Sequence, residues 1–270
     1  MHAAGCGSKP PTSTFPLNSP GSLRITPWLL LLTVFFSTLH VTRPPACAVY
    51  LQSTIPVAAG LGSGAAVSVA ILRALSAFLG KPLSDEQVNR LAFEAEKYYH
   101  GTPSGIDNTV VTYARPVYFV KGRPIKTFRV GAPFTIVIGD TGISAPTKDS
   151  VNALRKLHDA EPARWEKIFD RVGEIVWDAR QAIERGDIPE LGRLMDANHA
   201  LLQEMTVSSA ELDNLTDTAR KTGALGAKLS GGGRGGNMIA LVLKEKAPAL
   251  AEALLGAGAI RAIVTTIQPT

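Results

Sequence analysis

Apolar positions recur along this chain with two periods, near 2 and near 3.6, and each change of period marks a predicted boundary. Residues 50–55 read as a strand. A glycine-rich turn at Gly60, Gly62 and Gly64 then opens an apolar helix over residues 65–79, which Gly80 closes. Ser84 followed by Gln87 makes a capping box, so a second helix is expected from Asp85 to about Tyr99, ended by Gly101 and Pro103. Residues 117–120, 125–130 and 134–140 read as strands with turn residues between them. Residues 147–221 are almost wholly helical in period, broken at Pro162, Gly186 and Pro189. A second glycine-rich stretch at 231–236, a strand at 238–243, a helix around 247–255 and a strand at 259–265 complete the pattern. Strands and helices segregated in this way predict an α+β protein with a boundary near residues 141–150.

The first 48 residues stand apart. Pro, Ser and Thr dominate residues 9–22, and an apolar run over 28–36 follows. The run is too short to cross a bilayer. Two readings stay open: the centre of a signal peptide, with Ala46-Cys47-Ala48 as a small-x-small cleavage pattern, or a buried helix or strand. The distance from Met1 and the intervening Arg43-Pro44-Pro45 favour the second, and with it a cytoplasmic protein.

Composition narrows the classes. Over 270 residues, 45% hydrophobic and 19% charged leave room for two lobes with a sizeable core. The formal charge of +5 comes entirely from Lys9, Arg24, Arg43, Arg73 and Lys81, because from Asp85 onward 23 basic and 23 acidic residues cancel. No basic stripe remains for a phosphate backbone, so neither a nucleic-acid nor a membrane partner is expected. Cys6 and Cys47 show no metal-binding spacing and read as reduced thiols.

Candidate chemistry gathers at two places. Backbone N–H groups can surround a phosphate only where side chains are absent, and a following helix adds its positive end; Gly60 to Gly64 before an apolar helix meets both needs, although plain turn chemistry gives the same string. Phosphoryl transfer to an alcohol needs one carboxylate near the hydroxyl and another for the metal. Asp107, in a loop punctuated by Gly and Pro, and Glu96, on the preceding helix, are the candidates. Taken alone, Asp107 reads equally as a helix cap, and Glu96, like Glu94, as a solvated charge.

The longer strings are more specific. Ile55-Pro56-Val57-Ala58-Ala59-Gly60-Leu61-Gly62-Ser63-Gly64-Ala65-Ala66 resembles the phosphate loop of the superfamily named for galactokinase, homoserine kinase, mevalonate kinase and phosphomevalonate kinase. His100-Gly101-Thr102-Pro103-Ser104-Gly105-Ile106-Asp107-Asn108 resembles the signature of the mevalonate kinases, and the likeness runs over roughly residues 50–270. It implies a two-lobed small-molecule kinase fold, with an N-terminal lobe over 49–146 that is incomplete and a ferredoxin-like C-terminal lobe with added helices over 147–270. It also implies ATP-dependent phosphorylation of the primary alcohol of mevalonate, in the mevalonate pathway of isoprenoid precursor synthesis. A sister kinase acting on homoserine or phosphomevalonate, or a nucleotide-binding remnant without catalysis, are the alternatives. Oligomeric state is left open.

Residue roles follow from the same likeness. ATP is expected on Pro56, Ala59, Gly60, Leu61, Gly62, Ser63, Gly64 and Ala65, and Mg2+ on Glu96 and Ser63. Asp107 takes the part of catalytic base, and Thr102, Ser104, Gly105 and Thr147 face the acceptor. Thr147 sits in Asp140-Thr141-Gly142-Ile143-Ser144-Ala145-Pro146-Thr147-Lys148, where capping a helix is an equal reading. His100 is taken as structural, and so, more strongly, are Asn198 and His199 in a string that resembles a helix beside the substrate cleft. Gly231, Gly232 and Gly233, in Lys228-Leu229-Ser230-Gly231-Gly232-Gly233-Arg234-Gly235-Gly236-Asn237, are expected to support the nucleotide site.

Two departures stand out. The family places a second serine, a magnesium ligand, where this chain has Gly64, so Ser63 or a water must stand in or metal binding is weaker. The family also opens with a lysine-bearing segment and Gly-Glu-His. No Gly-Glu-His occurs here, no Asp or Glu precedes Asp85, and Lys9 lies between Ser8 and Pro10 without that context. A truncated front and slow turnover are the resulting expectations.

Overall fold

The computed structural model describes residues 27–53, 55, 60–100 and 103–270. They divide into two compact units between Ala114 and Arg115.

The described part of the first unit is helical: α1 (Pro27–Thr38), α2 (Ser63–Phe78), α3 (Asp85–His100) and α4 (Ile106–Tyr113). The apolar run that left two readings open is α1, and it buries Leu31 and Phe35 against Val69 and Leu72 of α2 and Val88, Leu91 and Ala92 of α3. These residues recur at three- and four-residue spacing, which puts them on one face of each helix. The capping box forms as expected: the Ser84 N–H donates to Gln87 Oε1 at 2.9 Å and the Gln87 N–H to Ser84 Oγ at 3.3 Å. Gly80, at φ +66°, follows the end of α2. Residues 50–53 are not a strand, contrary to expectation, and Tyr50 is 80% exposed. A strand exists only when hydrogen-bonded to another, and the described residues of this unit contain none.

The second unit opens with a short hairpin, β1 (Val117–Tyr118) and β2 (Lys126–Thr127), shorter than the pattern suggested. Then come β3 (Phe134–Asp140), four helices α5 (Thr147–Ala160), α6 (Pro162–Arg185), α7 (Ile188–Glu204) and α8 (Ala210–Lys221), strands β4 (Gly226–Ser230) and β5 (Asn237–Val242), α9 (Ala247–Gly256) and β6 (Arg261–Ile267). The sheet order is β4-β5-β3-β6, antiparallel throughout. That order, with helices between β3 and β4 and between β5 and β6, is the ferredoxin-like arrangement that was expected. The compact division falls earlier than residues 141–150 because β3 is an inner strand of this sheet, bonded on both sides.

Alternation along the strands feeds two cores. Val137, Met238, Ala240 and Leu229 face Leu212 and Leu215 of α8 and Leu250 and Leu254 of α9. Ile136, Ile239 and Leu241 face Leu191, Leu194 and Met195 of α7 and Ile175 of α6. α6, with 24 residues and so roughly 36 Å long, reaches both, since its Trp165 and Ile168 join the first core. Where α7 crosses β4, a methyl group on Gly192 would overlap the Leu225 carbonyl oxygen, so glycine there sets how closely helix and strand approach. Pro162 and Pro189 sit in the first turns of α6 and α7, where a missing N–H costs nothing, and Gly186 ends α6 at φ +71°.

Candidate active site

In the first unit, three helices, α2, α3 and α4, meet at the loop before α2. Gly60 and Gly62 both have φ +69°, a left-handed backbone that glycine adopts without strain, and Gly62 is the N-cap of α2 with no side chain bonded to the helix start. The first N–H groups of α2 therefore have no side-chain cap, and the positive end of a helix of 16 residues stands behind them. Ser63 and Gly64 occupy the first turn and are half-buried; Ala65 is buried, so it offers a ligand only its backbone.

The two candidate carboxylates lie against this loop. A Cβ added to Gly62 would stand 3.8 Å from Cβ of Asp107, and one added to Gly64 would stand 3.4 Å from Oε1 of Glu96. Glu96 is 5% exposed, whereas the Glu94 side chain is about half exposed and bonded to Lys97 at 2.7 Å, so the structure places the two glutamates differently.

Asp107 is exposed in the first turn of α4 and is not the cap, which is Gly105 at φ +88°. Its neighbours fix that turn. Asn108 Nδ2 donates to Asn89 Oδ1 at 2.6 Å, Thr109 Oγ1 donates to the Gly105 carbonyl at 2.7 Å, and both lie on the buried side. Arg73 ties the three helices together by donating to Asp85 Oδ1 at 2.7 Å and to the Thr112 carbonyl at 2.8 Å. Asn89 and Arg73 were missed in the sequence, where a polar residue on a helix reads as surface. Ser104 Oγ accepts from the Ile106 N–H at 3.3 Å and shapes the turn into α4. Pro56, Ala59 and Thr102 lie outside the described residues, as does the His100 side chain.

In the second unit, the glycine-rich stretch is the β4–β5 turn. Gly231, Gly233, Gly235 and Gly236 all have positive φ, and Arg234 joins them at +59°. The Arg234 N–H donates to the Val207 carbonyl and the Gly236 N–H to the Ile143 carbonyl, each at 2.8 Å, while the Thr141 N–H and Oγ1 both donate to the Gly236 carbonyl at 2.9 Å. A Cβ on Gly232 would be 2.5 Å from Thr147 Oγ1, and one on Gly233 would overlap the Val207 carbonyl oxygen. The glycines thus let this turn lie flat on residues 141–147 and 206–207. Thr147 does not cap α5, correcting one of its two readings: Pro146 is the N-cap and carries no capping group, and Thr147 is the first helical residue.

His199 is structural, as expected. The Leu229 N–H donates to its Nδ1 at 3.3 Å, so the proton is on Nε2, which faces Thr216 Oγ1 at 3.1 Å and Asp213 Oδ1 at 3.2 Å. Burial, with Arg220 adding to it and Asp213 opposing, pushes its pKa down.

Among the described residues no three His, Cys, Asp or Glu side chains cluster to make a metal site by themselves. A hard cation that keeps most of its waters needs fewer ligands, and the buried Glu96 carboxylate against the loop, with the Ser63 hydroxyl in the first turn of α2, is a donor set of the oxygen type that Mg2+ takes. No helix of the described residues is long and apolar enough to cross a membrane.

Both halves of the chain resemble known proteins. Residues 31–115 match the GHMP kinases N terminal domain and residues 179–260 the GHMP kinases C terminal domain. The mevalonate kinase of Pyrococcus horikoshii is 40% identical over 200 residues, 72% of this chain and 58% of that protein. That of Thermococcus sibiricus is 40% identical over 225 residues, 82% of this chain and 66% of that protein. The chain therefore spans about three fifths to two thirds of the length of these relatives. The crystal structure of L. major mevalonate kinase in complex with R-mevalonate superposes with a TM-score of 0.78 at 33% identity, covering 90% of this chain and 77% of that one.

Proposed function

Because the chain belongs to the GHMP kinases, we propose that it transfers the terminal phosphoryl group of ATP to the primary alcohol of mevalonate, in the cytoplasm. The observation that carries this reading is the placement of Asp107 and Glu96 against the glycines of one phosphate-type loop, the exposed carboxylate beside Gly62 and the buried one beside Gly64. The printed activity of the relatives supports the choice of acceptor.

Each residue then has a task. The loop from Gly60 to Gly64 and the first N–H groups of α2 hold phosphate oxygens by direct backbone donation, which only side-chain-free positions permit. Asp107 orients the acceptor hydroxyl and takes its proton as the oxygen attacks phosphorus, so the leaving nucleotide departs with the bonding pair. Glu96 and Ser63 would hold Mg2+, which when bound neutralises charge on the phosphates. Ser104, Gly105 and Thr147 are assigned to the acceptor, and the Gly231 to Gly233 turn to support of the nucleotide site.

Mevalonate-dependent ADP release, measured for wild type and Asp107→Asn, tests the assignment. A base of this kind is worth about 10²–10⁴ in rate, and the amide keeps the shape but cannot take the proton. Equal turnover in the two proteins removes Asp107 from the mechanism. No ADP release above background from wild type, with nucleotide binding intact, refutes mevalonate as the acceptor.

A further inference from the structure

A cavity of about 250 Å³ lies in the second unit, between the β1–β2 hairpin, α6, α7 and β4. Its walls are mainly apolar, with Phe128, Ile175 and Leu194 prominent, and three polar side chains enter it: Arg180, Asn198 and Lys228. We propose that this cavity binds a small organic anion with a flat apolar body, its acidic group held by Lys228 and Asn198 and its body lying against Phe128.

The charges in the cavity do not balance without such a ligand. Arg180 is accounted for: Nη2 donates to Glu184 Oε1 at 3.2 Å, and the guanidinium lies 5.5, 5.7 and 5.3 Å from the rings of Tyr118, Phe128 and Trp177. Even so, its Nε is buried with no hydrogen-bond partner. Lys228 has no counter-ion among the described residues. Removal from water pushes its amine down to about 8. Neither it nor the Asn198 amide makes a hydrogen bond to another described residue, although both are partly buried at the cavity wall.

Buried polar groups without partners are rare in folded proteins, because each keeps its desolvation cost. One such group, Arg180 Nε, converging with two partly buried and unpartnered side chains, Lys228 and Asn198, on one apolar hollow is the arrangement of a ligand site, in which a few polar groups fix orientation and the walls supply contact area. The sign follows from the inventory: the ammonium group and the guanidinium N–H are donors only, the Asn198 amide can donate as well, and the cavity wall carries no carboxylate to oppose them. The size follows from the volume, which is a little below the range of drug-sized pockets and so suits an acid of one or two rings.

The probe is 2-naphthoate, with 2-naphthylmethanol as its uncharged counterpart, titrated by fluorescence into the full chain at neutral pH. One saturable site for naphthoate is expected, with the alcohol at least tenfold weaker and Lys228→Met weakening naphthoate by about tenfold or more while changing the alcohol little. Equal affinity for acid and alcohol, or no loss in Lys228→Met, overturns the proposal, as does no binding up to about 1 mM, the weak end of specific recognition. Should Lys228→Met not fold, the wild-type protein still decides the question. Saturating naphthoate should protect the Lys228 amine from acylation, read by mass spectrometry, and acylation at an unchanged rate refutes the site.

Discussion

Gly64 is the position where this chain departs from its family inside the phosphate loop, and Gly64→Ser is a direct probe of what that departure does. Gly64 is in the first turn of α2, outside the positive-φ region, so a side chain there meets no backbone strain. The nearest atom to a new Cβ is Glu96 Oε1 at 3.4 Å, ordinary contact, so the serine enters without displacing anything. Replacing glycine in a helix with serine gains about 0.5 kcal/mol, and with alanine about 1 kcal/mol, chiefly from the unfolded chain. Both variants should melt higher than wild type, alanine by a few degrees and serine by somewhat less. Only serine adds an oxygen. Its hydroxyl, one bond beyond Cβ, falls within reach of the Glu96 carboxylate and beside any cation held there. A gain of hydrogen-bond size, about 1 kcal/mol, is roughly fivefold in Kd. Calorimetric titration of Mg2+ at fixed ATP should therefore give a Kd about fivefold tighter in Gly64→Ser than in Gly64→Ala. Equal Mg2+ affinity in the two variants would show that Glu96 and this turn do not hold the metal. A serine variant less stable than wild type would show that the loop and α3 are not arranged as described.

Gly192→Ala should destabilise the second unit by about 1–3 kcal/mol in urea unfolding, because its methyl group meets the Leu225 carbonyl oxygen where α7 crosses β4; an unchanged midpoint would mean the crossing is looser than it is drawn. His199, with its pKa held below 6.5 in the folded state, binds fewer protons than in the unfolded chain, so its contribution to stability is present above about pH 6.5 and is lost as pH falls below it. The urea midpoint should drop between pH 7.5 and 5 by more in wild type than in His199→Gln, and parallel curves would exclude His199 as the cause. The Lys228 amine, at about 8, should be acylated at pH 8 well ahead of exposed lysines, whose neutral fraction there is on the order of a hundredfold smaller; labelling in step with them would place the amine in water.

The elements that were legible in the sequence are those with their own local punctuation. Ser84 and Gln87 announced α3, and Gly80 and Gly186 announced the ends of α2 and α6, because capping and left-handed closure depend on residues adjacent in the chain. What escaped depends on distant partners. Residues 50–53 were read as a strand and form none, since local character supplies no neighbour to bond. β4 was passed over because Gly226 and Ala227 give it little side chain to show a period, and its place is set by pairing with β5. The break between α7 and α8 was missed for the opposite reason. Met205 and Val207 are buried and continue the apolar rhythm, while the stop is made by Thr206 at φ +58° and by Ser209, whose Oγ accepts from the Leu212 N–H.

The candidate site divides along the same line. Two residues along a helix turn the side chain through about 200°, so Glu94 and Glu96 must point to opposite sides, but helical period alone does not say which side faces the loop, and it was the family resemblance that named Glu96. The strings around Gly62 and Asp107 could be read because each is continuous in the chain; that they lie against one another is a fact of packing. Its agents are Arg73, which bonds both Asp85 and the Thr112 carbonyl, and Asn89, which receives Asn108. Both are polar residues on amphipathic helices, where solvated side chains are the rule, and nothing near them in sequence marks them otherwise. The same holds for Arg180, Asn198 and Lys228, which come from two helices and a strand and meet only because α6 and α7 cross β4 and the β1–β2 hairpin at one place. A site assembled from one loop is written in sequence order, and a site assembled from several elements is written in the contacts that bring them together.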